Sequence, residues 1–288
     1  MRGYLDEGRR RLEAIIAADD RDHVLAPGDR RRVLTAAGGV AYWQADNAGA
    51  YRAYREAVDL ARASGTKQEL ADAIYDFSFS PVLVDTSADW TEILSLESPK
   101  VIAEAIALYR ELGDEAGMAR ALWASADYRF FGGDTAGAER EASEALPIFR
   151  KLGDRFGLAW ALHELTLVEI VTGRAELARA HAREALQMFQ ADGDLSGMNL
   201  LLIDLSSVAL VEGQRPRALR LAAAGVTVAE RNGIHLVSQS WTSPPFPEIP
   251  SPGGDAREQA WWDEGTQMDL DAAVAYAFQG LDEEEAQP

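Results

Sequence analysis

Cysteine does not occur in this sequence, which excludes disulfides, thiolate metal sites and thiol nucleophiles, and makes a reducing cytosol the expected, cytoplasmic setting. Long apolar runs are missing too. No stretch approaches the roughly 18 residues that a transmembrane helix needs, so no membrane association is expected. The opening residues MRGYLDEGRRRLEAIIAADD are charged throughout and have no apolar core, so they are not read as a secretory signal. Lysine is nearly absent (Lys67, Lys100, Lys151), and the formal net charge is −19. Such a surface repels a phosphate backbone, so direct nucleic acid binding is not expected. The dense basic run Arg30-Arg31-Arg32 is read as a solvated helix start.

The motifs of common chemistry are lacking as well. There is no G-x-x-x-x-G-K-[ST] loop to cradle a triphosphate and no G-x-S-x-G elbow. His163-Glu164 opens like a zinc motif, but Leu167 stands where the second histidine would be. The chain is therefore expected to be no enzyme, with no catalytic residues, no metal and no cofactor.

What is present is a repeat of 40 residues. Gly113, Gly153, Gly193 and Gly233 share one register, and Asp114, Asp154 and Asp194 follow the first three. Gly117, Gly157 and Gly197 keep the step, as do Gly133, Gly173 and Gly213. So do Ala138, Ala178 and Ala218, then Ala142, Ala182 and Ala222, and Leu122, Leu162 and Leu202. Between the glycines the apolar residues have helical spacing, as in Ala138, Ala142, Ala145, Leu146 and Phe149. Gly133 and Gly153 stand where a helix ends in a left-handed residue, and Asp134 stands where an N-cap belongs. The alanines mark close helix contacts. Each unit reads as helix A, turn, helix B, turn, and one pair cannot bury its apolar face alone, so the pairs must stack.

Degraded copies precede these. Ala50, Ala57, Val58 and Leu60 before Gly65 repeat the pattern, and Ala105, Ile106, Leu108 and Tyr109 before Gly113 repeat it again. Ser98-Pro99 is expected to open the latter helix as N-cap and N1. The step from Gly65 to Gly113 is 48, so this copy carries an insertion, placed at 81–97. Residues 3–18 look like the second half of a preceding repeat. The expected fold is all-α, a tetratricopeptide-like right-handed α-solenoid of about five helix pairs over residues 1–240. A Pro-rich linker over 241–254 follows. A C-terminal helical cap over 255–281 has Asp269 at the start and Gly280 at the end of its second helix, and a disordered tail covers 282–288.

The units resemble tetratricopeptide repeats, with a period longer than is usual for them. ALYRELGDEAGMARALWASADYRFFGGDTAGAEREASEALPIFRKLGDRFGLAWALHEL resembles the C-terminal repeat region of actinobacterial LuxR-like, AfsR-like or cyclase-like signal-transduction ATPase regulators. GYLDEGRRRLEAII is similar to the start of that region, and AWWDEGTQMDLDAAVAYAF is similar to its ending. The resemblance implies a sensor or scaffold, with an ATPase or DNA-binding domain encoded upstream as its companion. It implies no ATP or DNA site in these residues.

In tetratricopeptide repeats certain helix A positions face a concave groove. With Ala138 at the small position, the groove residues become Tyr75, Phe79, Arg120, Trp123, Asp127, Phe130, Trp160 and His163, continued by Leu200, Ile203 and Ser207. An aromatic row with an Arg and an Asp suits a protein or peptide partner or a flat small ligand, because rings give contact area at low entropy cost. Packing of the same rings against the neighbouring helix B is the competing expectation. The expected function is a non-catalytic interaction or sensor module in signalling or transcriptional regulation. A small-molecule or peptide receptor is the alternative.

Overall fold

The computed structural model describes residues 2–44, 46–79, 90–232 and 249–283. Among them every regular element is an α-helix, and the chain divides into two compact units, Met1–Gly132 and Gly133–Pro288. The first unit holds α1 (Arg2–Asp22), α2 (Pro27–Trp43), α3 (Asn47–Ser64), α4 (Lys67–Ser78), α5 (Trp90–Leu112) and α6 (Glu115–Phe131). The second holds α7 (Thr135–Leu152), α8 (Arg155–Val171), α9 (Ala175–Asp192), α10 (Leu195–Val211) and α11 (Arg215–Asn232). It ends with α12 (Ala256–Thr266) and α13 (Leu270–Glu283). From α1 to α6 and from α7 to α12 consecutive helices pack on one another, α13 packs on α9, α10 and α11, and α2 also touches α4, α4 touches α6 and α8 touches α10.

The recurring residues build the turns. Gly113, Gly133, Gly153, Gly173, Gly193 and Gly213 all have φ between 68° and 81°, which a side chain would strain. Asp114, Asp134 and Asp154 then accept the backbone N–H of Gly117, Gly137 and Gly157 at 2.9 Å, and Asp194 that of Gly197 at 3.0 Å. Gly117, Gly157 and Gly197 have a second reason to recur. The rings of Tyr109, Phe149 and Phe189 from the preceding helix lie against them, and an added Cβ would come within 2.5 Å of each ring. Those rings are core residues with no room to retreat, so a methyl group there overpacks the joint. Ala138, Ala142, Ala178, Ala182, Ala218 and Ala222 are all fully buried at helix contacts, as their spacing requires.

The C-terminal helices cover the exposed flank of α11. Gly265 of α12 meets the backbone of Arg220 so closely that a Cβ would lie 2.3 Å from its carbonyl oxygen. Arg217 donates to the carbonyls of Tyr276 and Ala277, and Arg215 grips Glu258 with both Nε and an Nη. Asp269 caps α13 through the N–H of Ala272 at 2.8 Å.

Three local expectations are corrected. Helix α5 starts at Trp90, so Ser98-Pro99 does not open it. WTEILSLE is itself helix-forming, and one missing N–H does not stop a helix supported on both sides of the proline. The 81–97 insertion is therefore helical over 90–97, and 81–89 lie outside the described residues. Gly280 does not end α13, which runs to Glu283. Residues 284–288 of the expected tail, Gly233 and residues 241–248 of the Pro-rich linker lie outside the described residues, while 249–254 form no helix. Finally, Arg30 and Arg31 are not solvated. Arg30 pairs with Asp19, Asp20 and Glu56, stapling α1, α2 and α3, and Arg31 pairs with Glu69 of α4; only Arg32 faces water.

Candidate functional site

In the N-terminal unit α2, α4 and α6 bring one aromatic cluster together. The ring of Phe79 stands 5.1 Å from Tyr75 and 5.9 Å from Tyr42, edge-on in both cases, and 5.8 Å from Trp123. All four rings are half-buried, so they pack on the core and still present surface. The guanidinium of Arg120 lies 5.4 Å from the centre of the Tyr75 ring, in cation–π range. Its buried Nε has no hydrogen-bond acceptor. Burial, and then the charge of Asp127, raise the Tyr42 hydroxyl above the ordinary phenol range.

Carboxylates lie within reach of the Arg120 charge. Asp76 is pushed up to about 7, first by burial and then by Asp72 one turn away, while Arg120 and Arg31 pull it down. Asp72 accepts the Tyr109 hydroxyl at 2.7 Å. Of the expected groove residues Tyr75, Phe79, Arg120, Trp123 and Asp127 come together here, joined by Tyr42 and Asp76, which were not among them. Tyr42 lies in the most degraded copy, where no repeat register points to it. Asp76 was readable as the i+4 partner of Asp72 on a helix whose A-face was already named.

Phe130, in the same unit, is not on this face. It is fully buried and edge-on to Phe131 at 5.9 Å. The C-terminal unit departs further from expectation. Residues 161–170 of α8 and 197–209 of α10 are buried without exception. His163 is therefore core rather than groove, with Nε2 3.0 Å from Oδ2 of a fully buried Asp204, in ion-pair contact but off line for a hydrogen bond. Burial pushes the Asp204 carboxyl up and the charge of His163 opposes it. Leu200, Ile203 and Ser207 are buried as well. Trp160 keeps a half-exposed edge but packs on His163 at 5.5 Å and on Phe189 at 5.2 Å. Buried Glu169 reaches the partly exposed His181 of α9 at 3.0 Å, a second polar pair at the edge of this core.

A cavity of about 360 Å³ lies between α1, α2 and α3, floored by Leu12, Ile16, Leu34 and Ala37. Arg9 on its rim is already held by Glu13 and Asp46 at 2.7 Å, and none of the residues expected to bind lines it. Among the described residues no group of His, Asp and Glu side chains is arranged to hold a metal ion, and no helix is long and apolar enough to cross a membrane.

No protein-family model matches the sequence, and no curated protein matches it either. The fold is all-helical and has solved counterparts. The crystal structure of BtubC (BKLC) from P. vanneervenii is similar over 86% of this chain and 95% of its own, with a TM-score of 0.55 and 17% identity. At that identity the likeness concerns the fold alone.

Proposed function

We propose that this chain is a tetratricopeptide-like, right-handed helical-repeat module that binds a protein or peptide partner and performs no chemistry itself. The ring cluster of Tyr42, Tyr75, Phe79 and Trp123 on the even helices of the N-terminal unit carries this reading. Rings held half-exposed on rigid helices are pre-organised contact surface, and they lose little entropy on binding. The repeated Asp caps, left-handed glycines and contacts between even helices support the solenoid arrangement. The sequence resemblance to actinobacterial regulator repeats makes signalling or transcriptional control in the cytoplasm the proposed setting, with an ATPase or DNA-binding domain as the natural companion. Amide hydrogen exchange with a peptide selected from an array tests it. The bound peptide is expected to slow exchange in α4 and α6. Protection confined to other helices, or an array with no binder, refutes the reading.

A further inference from the structure

We propose that the ring cluster of the N-terminal unit takes a cationic side chain, a lysine or arginine of a peptide partner, with Asp76 as its counter-charge. This rests on the interaction reading above and names the partner's chemistry.

The cluster already shows that it accepts a cation. Arg120 lies over the Tyr75 ring, its buried Nε finds no acceptor, and its charge is felt at Asp76 and Asp114, so the guanidinium sits between a ring face and carboxylate charge. Tryptophan and tyrosine faces are the best neutral surfaces for an ammonium or guanidinium group. The carboxylates favour the same sign. Asp76 carries no effect of a hydrogen bond: burial and Asp72 oppose its ionisation, so an arriving positive charge gains most there. At longer range the net charge of −19 steers basic segments toward the chain and acidic ones away. Arg120 could instead be read as an anion receptor. Asp72, Asp76 and Asp114 are all close enough to feel its charge or share its field, so an anion would enter against them.

A linkage follows. The groups facing Asp76 are Asp72 on its own helix, Arg31 from α2, Tyr54 from α3, Tyr109 from α5 and Arg120 from α6. None of the acids among them can neutralise it, and the two arginines do not hold it ionised. A bound cation completes the ionisation. Binding near neutral pH must therefore release protons, and affinity must rise as pH rises through neutrality.

Isothermal calorimetry of the full chain with a short arginine peptide, its glutamate counterpart and its serine counterpart is the test, run in two buffers of different ionisation enthalpy. The arginine peptide is expected to bind with proton release at pH 7. Asp76→Asn should weaken it about fivefold to tenfold, the size of one close cation contact, and should abolish the proton release. Asp59→Asn removes the same charge from an exposed position on α3 and should leave affinity within about twofold. Trp123→Ala should weaken binding too, and the isosteric Asp76→Asn stands in if that variant does not fold. Equal losses in Asp59→Asn and Asp76→Asn would mean non-specific attraction and overturn the assignment. Tighter binding of the glutamate peptide would overturn the cationic assignment and leave the binding face intact. No binding by any peptide overturns this inference, and the exchange experiment above then decides the broader reading alone.

Discussion

The two units use one repeat in opposite ways. In the N-terminal unit α4, its C-cap and α6 hold Tyr75, Asp76, Phe79, Arg120 and Trp123, all half-buried, and the buried Nε of Arg120 has no acceptor. In the C-terminal unit the corresponding stretches of α8 and α10 are wholly buried, and within them His163 meets Asp204, while buried Glu169 reaches the partly exposed His181 of α9. The skeleton does not differ. Gly117 and Gly157 lie under the rings of Tyr109 and Phe149 in the same way, capped by Asp114 and Asp154 in the same way. The turns and the joints are what the repeat keeps. The remaining helix face varies, fully buried in one unit and half-exposed in the other.

The largest expected effect lies in the buried pair. His163→Ala opens a cavity beside the fully buried Asp204 carboxyl and removes the polar side chain that faces it, which together should cost about 3–5 kcal/mol. A His163→Leu, Asp204→Leu double variant removes both groups and should recover most of that loss in urea melts. If the single variant melts like the parent, the pair is not the core feature described and the contrast between the units weakens.

A smaller effect of opposite sign belongs to the N-terminal unit. The Asp76 carboxyl titrates at about 7 in the fold against an ordinary 3.8, so the folded state holds the proton more tightly. Its stability contribution is complete below about pH 4 and is lost as pH rises toward 7. At about 1.4 kcal/mol per pH unit the ceiling is near 4 kcal/mol, and partial solvent access reduces the expectation to about 2. Asp76→Asn should therefore stabilise the protein by about 2 kcal/mol at pH 8 and by little at pH 4. Chemical melts at the two pH values check it. A variant less stable than the parent at pH 8 would show that Asp76 is structurally satisfied and not held at a cost, as residues of a binding site often are.

Much of the fold was legible because its devices are local. A left-handed glycine, an Asp three residues before an N–H and an alanine at a crossing each need one residue type at one place, so they survive as coincidences at steps of 40. Depth was not legible from periodicity. The spacing that puts His163 and Phe130 on helix A positions says which way they point, not how much protein lies beyond them. One signal was available: LSGMNLLLIDLSSVALV in α10 is apolar nearly all round, as a helix enclosed on every side is. The Arg30 and Arg31 ion pairs were hidden for another reason. Their partners Asp19, Glu56 and Glu69 lie on three other helices, and no local spacing links them.

A paired substitution separates the proposed binding role of the N-terminal ring cluster from the packing role of the rings around Trp160. Trp123→Ala and Trp160→Ala each remove one half-exposed indole from an aromatic contact network. Affinity for the arginine peptide and the melting transition are measured for both. Trp123→Ala is expected to lose on the order of 2 kcal/mol of binding energy and to melt close to the parent. Trp160→Ala is expected to keep its affinity and to melt at a clearly lower temperature, since its ring closes on Phe189 and His163 in the core. The reverse outcome, with binding lost at Trp160 and stability lost at Trp123, would contradict the account.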